Sequence, residues 1–200
     1  MTVCLLTIED GRTAVHDRAR ASLREMLPDV DHHVAIDDRD HRLGFAGAIR
    51  EGWRQALATD ADWVWHAELD FIYHAPVPLG DMIALLKRRP ALTQVALKRQ
   101  PVNEQECAAG GIVEANPNVY REHHDDAGTW TTHRVFWTTN PSVYPRWIMQ
   151  RGWPQCAESE GHFGLALFGE RPEWCSCFWG AKYAAPMVEH IGQIRTGTGY

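Results

Sequence analysis

Residues 61–76 read ADWVWHAELDFIYHAP, and the rest of the chain is organised around them. Trp63, Val64 and Trp65 form an aromatic, apolar run that stops at the acidic triplet Glu68-Leu69-Asp70, with Pro76 and Pro78 close behind. A short apolar run bounded by such breakers reads as a buried strand. Side chains two apart on a strand share a face, so Glu68 and Asp70 are expected to project together from its carboxyl end. Two hard carboxylates with room for water and phosphate oxygens suit Mg2+ or Mn2+ better than zinc. An acidic turn after a strand is the plainer reading of the same triplet.

The flanking residues repeat one pattern. Val3 to Ile8 is a short β-branched run bounded by Glu9-Asp10-Gly11, and Val15, Ala19, Leu23 and Met26 then keep helical spacing up to Pro28. His33 to Ile36 reads as a second strand ending in Asp37-Asp38. Phe45, Ala48, Ile49, Gly52, Trp53 and Ala56 trace one face of an amphipathic helix. Leu79, Met82, Ile83 and Leu86 give another helix, stopped by Pro90, and Leu92 to Leu97 another strand. Strand-helix alternation of this kind predicts a mainly parallel sheet covered by helices, with ligands expected beyond the carboxyl ends of the strands.

In the second half, Lys98 to Asn103 and Ala108 to Gly111 read as a loop and turn, and residues 128–140 have the content of one strand. Asn140-Pro141 is expected to start a short helix toward Trp147, and His123-His124-Asp125-Asp126 to form a polar loop. Glu158 and Glu160 fall at the start of a helix continued by Phe163 and Leu167, a position that the helix dipole alone can explain.

Composition bounds the rest. The 200 residues suffice for one domain with a real core, and the net charge of -6 argues against coating nucleic acid by bulk electrostatics. No apolar run approaches the roughly 18 residues of a membrane helix, and the N-terminus lacks the basic region and cleavage site of a signal peptide. The five cysteines are scattered and odd in number, which fits free thiols in a reducing compartment. A cytoplasmic enzyme is the expectation, with most of the nine tryptophans in the core.

The order of strands and acidic residues, with Arg42-Leu43-Gly44-Phe45-Ala46-Gly47 between the second and third strands, resembles family-2-like glycosyltransferases of the GT-A fold. The resemblance implies an α/β, Rossmann-like mixed sheet in a single domain, residues 1–100 binding the nucleotide sugar and residues 101–200 carrying acceptor and catalysis. It implies a hexosyl- or pentosyltransferase using a nucleotide-diphosphate sugar, a UDP-sugar first, with Mn2+ or Mg2+. The residues carried over are Asp70, Glu68 and His190 for the metal, and Thr7, Glu9, Asp37, Asp38, Arg42, Gly44 and Arg195 for the donor. The resemblance implies Glu160 as the general base of an inverting transfer, with Glu158 as runner-up. Glu68 stands where the family has Asp, which makes Asp70 the safer ligand.

The acceptor is left open among a small molecule, a glycan, a protein and a modified DNA base. The last belongs to compact bacteriophage members of such families, for which the location is the host cytoplasm. Two other classes stand beside this reading. One is a catalytically silent carbohydrate-binding domain, marked by loss of the metal carboxylate. The other is a zinc hydrolase built on some of the eleven histidines, although no HExxH or CxxC motif occurs.

Overall fold

A computed structural model describes residues 1–192. Arg195 lies outside the described residues.

The first half alternates as the sequence predicts: β1 (Val3–Glu9), α1 (Thr13–Met26), β2 (His32–Asp37), α2 (Gly44–Ala58) and β3 (Trp63–Glu68). A short strand β4 (Phe71–Tyr73), α3 (Leu79–Arg88) and β5 (Leu92–Ala96) follow. The second half holds α4 (Glu104–Ala109), β6 (Arg121–Asp125), β7 (Gly128–His133), β8 (Ser142–Pro145), α5 (Arg146–Met149), α6 (Ser159–Glu170), β9 (Cys175–Trp179) and β10 (Val188–His190).

Eight strands form one mixed sheet in the order β2-β1-β3-β8-β5-β9-β7-β6, and β10 pairs with β4 beside it. Strands β1, β2 and β3 are parallel, as are β5 and β9, while β8 runs antiparallel between β3 and β5. Strand alternation distributes the core. On β3, Trp63, Trp65 and Ala67 pack with Ala19 and Leu23 of α1 and Met82 and Ile83 of α3. Val64 points to the other side, with Ile49 and Trp53 of α2 and Phe163 and Leu167 of α6. Six of the nine tryptophans, Trp53, Trp63, Trp65, Trp130, Trp137 and Trp153, are buried, as the reading of most as core requires. Trp53 sits at the centre of one aromatic cluster, its indole N–H donating to the Tyr144 hydroxyl at 2.9 Å.

Four local expectations are corrected. The run 128–140 is not one strand: β7 ends at His133, and the chain leaves the sheet to pack Trp137 against Phe163 of α6, ring centroids 4.9 Å apart. Residues 142–145 are a strand before any helix. Val143 and Tyr144 enter the cores on opposite faces, so β8 is buried on both sides and too short to show a period. Between the expected loop and turn, residues 104–109 form helix α4, which takes in Ala108 and Ala109 of that turn; the Asn103 side chain caps it, accepting from the Glu106 amide at 2.8 Å, and Gly110, left-handed, ends it. The His123-His124 segment belongs to edge strand β6.

Candidate active site

Three acidic residues stand at or just beyond the carboxyl ends of the parallel strands: Asp10 after β1, Asp38 after β2 and Glu68 at the end of β3. The chain then turns through Leu69 and Asp70 into β4. Because β10 pairs antiparallel with β4, with His190 opposite Phe71, the imidazole reaches Asp70 from 120 residues away. His190 Nε2 lies 3.0 Å from Asp70 Oδ2, and the ring packs on Phe71 at 5.0 Å. The Gln100 side chain fixes this strand by donating to the His190 carbonyl and accepting from its amide, both at 2.9 Å.

Glu160 arrives from the other direction, in the first turn of α6. Its Oε1 accepts from the Thr139 amide at 2.6 Å and the Thr139 hydroxyl at 3.2 Å. Thr139 is held in turn through its neighbour. The buried Gln94 side chain accepts from the Thr138 amide at 2.8 Å and donates to the Thr138 carbonyl at 2.9 Å.

Glu68, Glu160 and His190 line one cleft of about 820 Å3, together with Arg99, Thr139 and the start of α2 around Gly44. Burial, reinforced by the charges of Asp70 and Glu160, pushes the Glu68 carboxyl up to about 8. Burial also raises Glu160, against the lowering effect of its bond to the Thr139 amide. Burial works upward on Asp70 too, but hydrogen bonding to His190 and the charge of Arg12 outweigh it and hold that carboxyl below its ordinary range.

The remaining expected positions divide. Glu158 lines the cleft at the left-handed residue before α6, its carbonyl accepting from the His162 amide at 3.1 Å. Asp37, Asp38 and Arg42 line a neighbouring cleft of about 490 Å3, which shares Leu43 with the first. There Asp38 is buried and accepts from the Leu43 amide at 2.8 Å, whereas Asp37 and Arg42 are exposed and pair with Arg39 and Asp40. Thr7 and Glu9 are engaged elsewhere: Thr7 Oγ1 is 3.0 Å from His33 Nε2, and Glu9 pairs with Arg20.

Three residues with no sequence motif complete the site. Arg12 donates to Asp10 Oδ2 at 2.6 Å and to Asp70 Oδ2 at 3.0 Å. Asp10 also meets His16 Nε2 at 2.9 Å, and those partners hold it well below the usual carboxylate range despite its burial. Arg99 forms a two-pronged pair with Glu106 at 2.7 and 3.1 Å on the cleft wall. In the sequence Asp10 stood only in the loop that bounds the first strand and Arg99 in the Lys98 to Asn103 loop, and composition alone does not separate a site from a loop.

The fit of a divalent cation can be judged from these atoms. Asp70 Oδ1 is buried and without a hydrogen-bond partner in the protein. The 3.0 Å between Asp70 Oδ2 and His190 Nε2 matches the edge of an octahedron with bonds of about 2.1 Å. Among the described residues no three carboxylate, imidazole or thiol groups converge on a ready-made metal site. The residues therefore fit an ion held by two protein ligands and completed by phosphate oxygens and water, the usual arrangement for Mg2+ with a phosphorylated substrate. The histidines expected of a zinc hydrolase are spread apart: His66 is buried, His32 pairs with Asp60 at 2.5 Å, His74 with Glu189 at 3.5 Å, and His123 and His124 lie on edge strand β6.

No family model matches the chain. Over 106 residues, 52% of this chain, it is 29% identical to a probable glucomannan 4-beta-mannosyltransferase 9 of Oryza sativa subsp. japonica, of which it spans only 19%. The structure of S. aureus TarS 1-349 in complex with UDP-GlcNAc superposes with a TM-score of 0.61 at 10% identity, over 99% of this chain and 60% of that one. A197 from STIV superposes with a TM-score of 0.54 at 10% identity, over 98% of this chain and the whole of that one. The fold is the GT-A fold of these structural neighbours, with its mixed, mainly parallel sheet flanked by helices. No described helix is long and apolar enough to cross a membrane.

Proposed function

We propose that the chain transfers a sugar from a nucleotide-diphosphate donor to an acceptor hydroxyl, with inversion and with the help of Mn2+ or Mg2+. The observation that carries this reading is that Glu68, His190 and Glu160, from three separate parts of the chain, line one cleft at the strand ends. The UDP-GlcNAc bound by TarS and the mannosyl transfer named for the rice protein support a nucleotide-sugar donor, a UDP-sugar being the first to test.

Asp70 and His190 would hold the cation, with Glu68 beside them. Bound there, the cation supplies Lewis-acid stabilisation of charge on the departing diphosphate. Glu160 accepts the proton of the attacking hydroxyl. Its burial makes it a stronger base than a solvated carboxylate, and the Thr139 amide, fixing one oxygen, orients the other. The charged cleft around Asp37, Asp38 and Arg42 takes the base and ribose of the donor, its floor being the Asp38–Leu43 turn.

Glu160→Gln keeps an acceptor for the Thr139 amide but not the base. It is expected to lose about 100- to 10,000-fold in transfer, or in donor hydrolysis where no acceptor is supplied, with donor affinity unchanged. A variant that turns over at the wild-type rate removes Glu160 from the chemistry.

A further inference from the structure

Arg12 holds Asp70 Oδ2, the carboxylate oxygen that faces His190 Nε2, while Oδ1 is left without a partner. Its Nε–H donates to Asp10 Oδ2 at 2.6 Å, and Nη2, also 2.6 Å from that oxygen, donates to Asp70 Oδ2 at 3.0 Å, so one guanidinium spans two carboxylates from different strand ends. The two anchors differ. Asp10 is 3% exposed and is secured a second time by His16 Nε2 at 2.9 Å and by the Arg12 amide at 3.2 Å. The Arg12 side chain is 19% exposed and holds Asp70 by Nη2 alone. Gly192 closes over the same group: a Cβ there would lie 2.4 Å from Asp70 Oδ2, 2.6 Å from Arg12 Nη1 and 2.9 Å from His190 Nε2.

A guanidinium and a divalent cation repel each other across a few ångströms and compete for the charge of the same carboxylate. On the reading of this cleft as a cation and nucleotide-sugar site, that competition has a direct consequence. We propose that Arg12 is an exchangeable counter-ion. In the free protein it neutralises Asp70 and weakens binding of a free divalent cation. When cation and nucleotide enter together, it gives up Asp70 and turns its Nη atoms to the diphosphate while Nε stays on Asp10. A guanidinium fork suits phosphate oxygens as well as it suits a carboxylate, so the exchange keeps its hydrogen bonds satisfied. Cation and nucleotide then bind with positive coupling, and the coupling is reciprocal.

The test is Mn2+ binding to the full chain, read from the electron paramagnetic resonance of free Mn2+, without nucleotide and with saturating UDP or GDP. Mn2+ bound by the nucleotide alone is subtracted. For the wild type, nucleotide should tighten Mn2+ binding at least about tenfold. In Arg12→Gln, Mn2+ should bind the nucleotide-free chain several-fold more tightly than in the wild type, and the coupling should shrink. Arg12→Lys keeps the charge but cannot span both carboxylates, and should fall between them; it serves alone if Arg12→Gln does not melt cooperatively. Unchanged or weaker Mn2+ affinity of the nucleotide-free chain in a folded Arg12 variant overturns the exchange. A wild type that binds Mn2+ in neither condition overturns the metal reading of the cleft, and the exchange with it.

Discussion

Helix α6 carries Glu160, and one glycine sets how closely that helix approaches the segment that orients it. A Cβ on Gly164 would lie 2.8 Å from the Trp137 amide nitrogen and 3.2 Å from its Cβ, and ordinary contact begins at 3.4 Å. In Gly164→Ala the helix must therefore withdraw by about 0.6 Å, the difference between 3.4 and 2.8 Å. Trp137 lies two residues before Thr139, whose amide holds Glu160 at 2.6 Å. If the whole movement falls on that bond, it opens to about 3.2 Å, the outer limit of a good N–H···O contact.

Overpacking costs about 1–3 kcal/mol, while Ala in place of Gly within a helix returns about 1 kcal/mol. Gly169, on the same helix, has nothing within 4 Å of its Cβ position, so Gly169→Ala shows the helix gain without the clash. Thermal melts of the two variants should differ by about 1–3 kcal/mol, or roughly 2–4 °C per kcal/mol for a chain of this size. Gly164→Ala should also lose transfer rate by up to about 100-fold, because a displacement of this order misplaces a reacting group. Equal stability and equal rates in the two variants would refute the link between α6 packing and the base.

His133 is buried against Phe136 and Phe178, and burial lowers its pKa from 6.5 to about 3. The unfolded chain then binds the extra proton, so this residue's contribution is complete above about pH 6.5 and falls as the pH drops toward 3. His133→Phe removes that loss: its stability relative to wild type should be about 2 kcal/mol more favourable at pH 5 than at pH 8. Urea midpoints at the two pH values measure it, and the comparison cancels Glu68, whose raised pKa acts in the opposite sense; a pH-independent difference would mean that His133 is not held neutral. Gly192→Ala should weaken Mn2+-dependent nucleotide binding while leaving the melting temperature within a few degrees of wild type, since its Cβ meets only the ends of Asp70, Arg12 and His190. Equal nucleotide affinity in that variant, by calorimetry, would show that the cluster opens freely.

The strand-helix order through Leu92 was legible because each element carries its own period and breakers, and β3 announced itself by ending in the acidic triplet. Glu160 was legible as an acid opening a helix, and His190 through family resemblance, since a lone histidine gives no local signal. Its partnership with Asp70 depends on β4–β10 pairing between strands of three residues each, too short to read from a sequence. Strand β8 was hidden for a similar reason, and residues 134–139 were misread because the chain leaves the sheet after His133 and packs Trp137 on α6, while Phe136 folds back on His133 and Phe178. Arg12 and Gln94 act through contacts 58 and 44 residues distant, which no window of sequence contains. The expectations for Thr7 and Glu9 came with the family, and in this chain both side chains are engaged by His33 and Arg20.

The central claim is that the cleft between Glu68, His190 and Glu160 receives a nucleotide sugar together with a divalent cation. It is tested most directly by thermal shift of the full chain against UDP-, GDP-, ADP-, CDP- and dTDP-sugars, each with and without Mn2+. A ligand that binds only the folded state at about 100 times its Kd stabilises it by about 2.7 kcal/mol. A rise of several degrees is expected with one nucleotide, present with Mn2+ and lost on chelation. No rise with any donor under either condition would contradict it.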